Sequence, residues 1–155
     1  MLSSLKSTGL GLALVMALAA SPARAVDTVV SKDAPDLTAV RVKIKAKDFA
    51  GALADLKKLS DTVQHADVYN LIGFASRKSG DYTNAATFYA KALNFDADHK
   101  GALEYQGEMY VELGQVDKAK VNLAKLATLC PQGCEEREDL EKVIAAVPKA
   151  AAKTN

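Results

Sequence analysis

The two cysteines of this 155-residue chain, Cys130 and Cys134, are the side chains best suited to chemistry. They enclose Pro131-Gln132-Gly133, in which the glycine permits a tight turn. In an oxidising compartment such a pair is expected to form a disulfide. So short a loop stabilises a fold by only about 2 kcal/mol, and we expect this one to hold the following helix at a fixed angle.

Redox or metal chemistry is the alternative for this cysteine pair. A thiol–disulfide exchanger more usually has two residues between its cysteines, in a strand–helix context that is missing here. A metal site would need further ligands, and His65 and His99 lie in earlier turns of the chain. His99 beside Asp96 and Asp98 is typical of a polar turn. We predict a structural disulfide and no metal, with a thiol- or metal-handling accessory role as the alternative.

No pattern in the chain is typical of an enzyme. The sequence has no phosphate-binding glycine loop, no nucleophile elbow and no zinc-protease helix motif. Its many Asp and Glu residues show no spacing that isolates an acid–base pair. We therefore expect neither enzymatic activity nor a cofactor.

Three glutamates, Glu104, Glu108 and Glu112, recur at i, i+4 and i+8 and so share one face of a helix. Like charges at this spacing lower the intrinsic stability of a helix slightly. The stripe is therefore either a binding feature or a solvated helix face, which is what a run of charges usually forms.

An internal repeat predicts the elements that carry these residues. Residues 66–99 recur as residues 100–133 at a period of 34. Five positions keep their residue type: Gly73 and Gly107, Gly80 and Gly114, Ala85 and Ala119, Ala90 and Ala124, Lys91 and Lys125. A fixed period in this range indicates a solenoid, whose units bury their apolar faces against their neighbours. The small residues mark places where paired helices approach too closely for a larger side chain.

The motifs of both units resemble the tetratricopeptide repeat family. Residues 66–99 contain Tyr69-Asn70-Leu71-Ile72-Gly73, then Gly80-Asp81-Tyr82, Ala85, Tyr89 and Ala92. Residues 100–133 contain Leu103, Gly107, Tyr110, Gly114, Ala119, Leu123 and Pro131. Ala97 and Leu126 depart from the usual residue types. An offset of 33 aligns Lys47-Asp48-Phe49 with Gly80-Asp81-Tyr82, which indicates a degenerate repeat before these two.

This resemblance implies an all-α fold, a short right-handed α-solenoid of about three helix-turn-helix repeats. We place the repeats at residues 36–65, 66–99 and 100–133, within a domain over residues 36–147. A capping helix with a polar outer face is expected over residues 134–147. Residues 148–155 are expected to be a flexible tail.

In the family, the first helix of each repeat lines a concave groove that holds partner peptides. The resemblance therefore assigns six residues to such a groove: Asn70, Phe74, Arg77, Glu104, Glu108 and Glu112. With Arg41 and Lys45 of the first repeat, the groove would be basic at one end, aromatic in the middle and acidic at the other. Burial of Phe74 against a neighbouring helix is the alternative. Capture of a C-terminal carboxylate is disfavoured, because Asp67 and Gly101 occupy slots where a lysine would help.

Residues 1–25 are expected to be a cleaved secretory signal peptide. Lys6 precedes an apolar run over residues 10–20, and Ala23-Arg24-Ala25 is a small-x-small cleavage site. The run is too short for an ordinary membrane span, and its alanine-rich core is typical of bacterial secretory signals. We therefore expect a periplasmic protein without stable membrane insertion after cleavage. Residues 26–35 would form a flexible lead-in.

The mature chain is predicted to be near neutral. Removing Lys6 and Arg24 leaves 18 basic and 19 acidic side chains, without the basic stripe that nucleic-acid binding requires. We therefore predict a periplasmic scaffold or adaptor that binds a peptide or partner protein in its concave groove. Self-association of the solenoid is a further alternative.

Overall fold

The computed structural model describes residues 34–148, and these residues contain seven α-helices and no strand. The helices are α1 (Thr38–Lys45), α2 (Phe49–Ser60), α3 (Ala66–Lys78), α4 (Tyr82–Phe95), α5 (Lys100–Glu112), α6 (Val116–Leu129) and α7 (Glu135–Ala145). This confirms the predicted all-α fold. The predicted signal peptide, residues 26–33 of the lead-in and residues 149–155 of the tail lie outside the described residues.

The helices stack in chain order, as a solenoid requires. Each of them packs against the next one along the chain, and α5 also contacts both α3 and α7. Helices α1, α3 and α5 are the first helices of the three predicted repeats. Because α7 contacts α5 and α6, it occupies the place of the first helix of a fourth unit. We call the surface formed by α1, α3, α5 and α7 the first-helix face.

The turn inside each repeat has one conformation, although its sequence varies. Gly80 and Gly114 have positive φ angles of 83° and 71°, in the left-handed region that glycine adopts at little cost. Lys47 occupies the equivalent position between α1 and α2, with a φ angle of 60°. The first unit therefore keeps the turn of the other two despite lacking the glycine.

The turns between repeats are closed by histidines. Nδ1 of His65 accepts a hydrogen bond from the backbone N–H of Asp67 at 3.1 Å. One period later, Nδ1 of His99 accepts from the backbone N–H of Ala102 at 3.0 Å. Both imidazoles therefore serve as N-caps, of α3 and α5, and satisfy backbone donors that a helix start leaves free. This explains why a histidine recurs at this point.

Close packing inside and between repeats depends on two helical glycines. A Cβ added to Gly73 would lie 2.7 Å from the ring of Tyr89, which is fully buried in α4. A Cβ added to Gly107 would lie 2.6 Å from a methyl group of Leu140. Leu140 is fully buried and packs with Leu103 and Leu126, so it anchors α7 on the third repeat. Gly73 and Gly107 thus lie at close helix approaches, as the repeat pattern indicated.

Across residues 34–148, no helix combines the length and the apolar character needed to cross a membrane.

Candidate functional site

Among the described residues, a polar and an apolar cavity adjoin on the first-helix face. The polar cavity, of about 300 Å³, lies between α3, α5 and α7 and is bordered by Arg41 of α1. The apolar cavity, of about 130 Å³, is lined by Arg41, Ile44, Lys45, Leu71, Phe74 and Tyr105. Arg41, Leu71 and Tyr105 line both cavities, so the two form one continuous depression.

Carboxylates dominate the lining of the polar cavity. They come from three successive first helices: Asp67 in α3, Glu104 in α5, and Glu135, Glu136 and Asp139 in α7. The basic side chains in the lining are those of Arg41 and His99. Nε2 of His99 lies 2.9 Å from an oxygen of Asp67, to which it donates because Nδ1 is the acceptor in the helix cap. The cavity therefore carries an excess of negative charge.

Asn70 lies at the floor of this cavity with an unsatisfied side chain. Its exposed fraction is 6%, and its Oδ1 is buried without a hydrogen-bond partner among the described residues. A buried amide oxygen without a donor costs about 1–3 kcal/mol. Gly101, opposite in α5, keeps the space open: a Cβ there would lie 3.3 Å from Nδ2 of Asn70. Asn70 thus carries an unsatisfied acceptor in the lining of the cavity.

Glu104 is the buried acid of the polar cavity. Its exposed fraction is 7%, and within residues 34–148 it has no ion pair, whereas Arg77 pairs with Glu108 and Glu112. The pKa of Glu104 is raised to about 8, chiefly by burial and to a smaller extent by repulsion from four neighbouring carboxylates. These carboxylates belong to Glu108, Asp139, Glu136 and Glu135. Near neutral pH the carboxyl group is therefore largely protonated in the free protein.

Replacing Glu104 with glutamine is expected to stabilise the protein increasingly as the pH rises. The pKa of Glu104 is about 8 in the folded chain and 4.5 in the unfolded chain. The protonated group therefore stabilises the folded state fully below pH 4.5, and this contribution to the free energy of unfolding is lost as the pH rises through 8. Glutamine does not titrate, so the variant escapes the loss. Urea unfolding of both proteins at about pH 5 and about pH 9 measures the difference. A difference in unfolding free energy that is the same at both pH values would contradict the burial of this acid.

Arg77, Glu108 and Glu112 line neither cavity and form an ion-pair network with one another. The guanidinium of Arg77, whose side chain is 1% exposed, contacts an oxygen of Glu108 at 2.5 Å and one of Glu112 at 2.9 Å. These pairs join α3 to α5. The sequence assigned all three residues to the groove; here the single charge of Arg77 is shared between two glutamates, of which Glu112 is exposed.

Phe74, another residue assigned to the groove, lies in the lining of the apolar cavity. Its ring is partly buried and contacts Tyr105 at a centroid distance of 4.9 Å and Phe49 at 6.4 Å. Both alternatives considered for Phe74 therefore apply in part, since it packs against neighbouring helices and also borders open space. Of the six assigned residues, Asn70, Phe74 and Glu104 line the depression.

The acids of α7 were missed as site residues, although the repeat contained the signal for two of them. The period of 34 carries Asp67 to Gly101 and then to Glu135, and Leu71 to Tyr105 and then to Asp139. All these positions line the polar cavity. Treating α7 as the first helix of another repeat, instead of a cap with a polar outer face, would have placed its acids here.

The cysteine pair lies away from this depression, between α6 and α7. The sulfur atoms of Cys130 and Cys134 lie at disulfide distance, with their Cα atoms 5.9 Å apart. No group of three or more histidine, cysteine, aspartate or glutamate side chains in residues 34–148 is arranged to hold a metal ion. Neither observation favours the thiol- or metal-handling alternative.

Comparisons with known proteins identify the repeat. Residues 66–99, which contain α3 and α4, match the model of the tetratricopeptide repeat family. A curated relative, the uncharacterized protein ycf37 of Pyropia yezoensis, is 31% identical over 75 residues, or 48% of this chain. That match covers 42% of the relative, so the chain spans less than half of its length. Repeats of this family generally act as non-catalytic scaffolds for contacts between proteins.

The matched unit is flanked by helix pairs of the same layout, α1 with α2 and α5 with α6. Residues 66–99 are therefore similar to a tetratricopeptide repeat, and this similarity is consistent with the all-α solenoid of helical repeats seen in the described residues.

Proposed function

We propose that this chain is a periplasmic scaffold that holds an extended or helical segment of a partner protein against its first-helix face. The observation that carries the proposal is the continuous depression on that face, in which an apolar and a polar cavity share three lining residues. Binding sites commonly combine an apolar wall with a few polar groups that fix orientation.

Each part of the depression suits a different part of a bound segment. Phe74 and Tyr105 supply aromatic surface against which an apolar side chain can pack. The free Oδ1 of Asn70 can accept an N–H group from the segment. Contacts of both kinds would fix the position and the direction of the segment along the face.

The periplasmic location is part of the proposal. It is supported by the signal-peptide pattern of residues 1–25 and by the Cys130–Cys134 pair, since disulfides persist in oxidising compartments. An exported protein whose intact mass corresponds to a start at Val26 would support this location, and a cytosolic protein of full mass would contradict it.

Site-specific photocrosslinking tests the binding face. A photoreactive phenylalanine analogue replaces Tyr105, which lines both cavities, and in a matched control it replaces Val121 of α6, which is 69% exposed. After crosslinking in envelope extract, we expect a specific adduct from position 105 and none of that mass from position 121.

The mass and peptide map of the adduct decide the outcome. A foreign polypeptide joined at position 105 supports the scaffold. An adduct between two copies of this chain would instead show that the face mediates self-association. Equal labelling from both positions, or none from either, would contradict binding at the first-helix face.

A further inference from the structure

We infer that the polar cavity receives a lysine or arginine side chain, so that the scaffold recognises a basic segment of its partner. This inference rests on the proposed function and specifies the chemistry of the partner. It does not follow from the repeat alone, because the residues that form the cavity differ from one unit to the next.

The first argument is the charge of the cavity. Five carboxyl groups from α3, α5 and α7 face a space of about 300 Å³, which accommodates the end of one long side chain. Of these five, Asp67 accepts a hydrogen bond from His99, and Asp139 forms an ion pair with Lys142. The remaining three, Glu104, Glu135 and Glu136, have no ion pair within residues 34–148. A cation is the group that this arrangement lacks.

The second argument is independent of charge and comes from Asn70. Its side chain is more than nine-tenths buried, lines the cavity, and has an oxygen without a partner among the described residues. An amide oxygen accepts hydrogen bonds and cannot donate them, so its missing partner is a donor. Ammonium and guanidinium groups carry several N–H donors and no acceptor, so they satisfy Asn70 and the carboxylates together.

The buried acid fits this role. Burial and the surrounding carboxylates raise the pKa of Glu104, so the free protein keeps this group largely neutral. A cation in the cavity would offset the same repulsion and favour the carboxylate form. Arg41 at the edge of the cavity would be repelled by such a group, which favours entry from the side of α5 and α7.

The adjoining apolar cavity also restricts which residue of the partner segment can stand next to its lysine or arginine. It shares Leu71 and Tyr105 with the polar cavity, so a segment whose cation is held by Glu104 passes next to Phe74. An apolar residue close to the basic one in sequence would fill this second space. The expected motif is therefore a lysine or arginine with a large apolar residue close to it in sequence.

A titration followed by amide chemical shifts of the full chain tests the inference. The probe is acetyl-leucyl-glycyl-lysyl-glycinamide, and its matched control carries norleucine in place of lysine. We expect the lysine peptide to shift the amides of Asn70, Glu104 and Asp139, and to bind at least about tenfold more tightly than the control peptide. A third probe, n-butylammonium, separates recognition of a segment from binding of any small amine.

Two variants locate the effect. Glu104→Gln removes the buried acid with little change of shape, and we expect it to weaken binding of the lysine peptide about tenfold or more. Glu141→Gln removes a carboxylate on α7 that pairs with Arg137 and does not line the cavity, so binding is expected to stay unchanged. Unchanged dispersion of the other amide signals shows that each variant is folded.

The results separate this inference from the function it builds on. Lysine-independent shifts, no shifts, or equal binding to wild type and Glu104→Gln would overturn the basic-segment inference. Binding of n-butylammonium as tightly as the peptide would overturn it in favour of a small-cation site. Photocrosslinking through Tyr105 detects a partner whatever its charge. A captured segment without lysine or arginine would therefore leave the scaffold function standing while overturning this inference.

Discussion

Replacing Arg77 with methionine is expected to lower the free energy of unfolding by about 3–5 kcal/mol. Methionine fills similar space but leaves Glu108 and Glu112 without the guanidinium that joins α3 to α5. Glu104 lies one turn before Glu108 on α5, so three carboxyl groups would then share one helix face with no internal cation. Urea unfolding followed by circular dichroism measures the loss.

Two controls show whether stranded charge causes this loss. Arg77→Lys keeps the charge but not the two-pronged geometry, and it should lose less stability than Arg77→Met. Adding Glu108→Gln and Glu112→Gln to Arg77→Met removes the unpaired carboxylates and should recover a large part of the loss. If Arg77→Met stays within about 0.5 kcal/mol of wild type, the network has no structural role.

Replacing Gly73 with leucine is expected to cost about 3 kcal/mol or more through overpacking. An added Cβ alone would lie 2.7 Å from the ring of Tyr89, and the rest of the leucine has no space between α3 and α4. Tyr89 is fully buried, so its ring has no solvent to move into. Thermal unfolding of the variant measures the effect, and a melting temperature within a few degrees of wild type would contradict the packing described for this pair.

Alanine substitutions separate steric from backbone effects. Gly101→Ala serves as the control, because this helical glycine has its nearest side-chain neighbour, Nδ2 of Asn70, at 3.3 Å from the added Cβ. Alanine favours a helix interior over glycine by about 1 kcal/mol, but Gly101 lies in the first turn of α5, so Gly101→Ala is expected to be close to neutral. Gly73→Ala lies in the interior of α3 and has the larger helical gain, but its Cβ meets the Tyr89 ring, so it should be destabilising. Equal effects at both positions would contradict a close approach at Gly73.

The fold could be predicted well because successive repeats have the same residue types at the same packing positions. Gly73 and Gly107 indicated close helix approaches, whereas Gly80 and Gly114, which have open space around them, recur because the turn requires positive φ. Even the first unit, in which Lys47 replaces the glycine, was found by aligning the residues after the turn. These features depend on local backbone and volume requirements, which appear directly as residue types at a fixed period.

The candidate site could be predicted only in part, because it depends on how side chains divide between internal pairs and open space. Asn70, Phe74 and Glu104 line the depression, whereas Arg77, assigned to the same face, points into an ion-pair network. Helical spacing puts residues on a shared face but does not decide which charge meets which. That choice depends on the offset between successive repeats, which brings Arg77 beside residues 31 and 35 positions later.

The burial of Leu140 against Gly107 also limits how this molecule can vary. Repeat proteins commonly gain or lose whole units, since each unit contacts only its neighbours. Here α7 both closes the stack and brings Glu135 and Asp139 next to the third repeat. A unit inserted between α6 and α7 would preserve every type of packing contact while separating these acids from Asn70. A longer array built in this way is therefore expected to be stable but to lack the polar cavity.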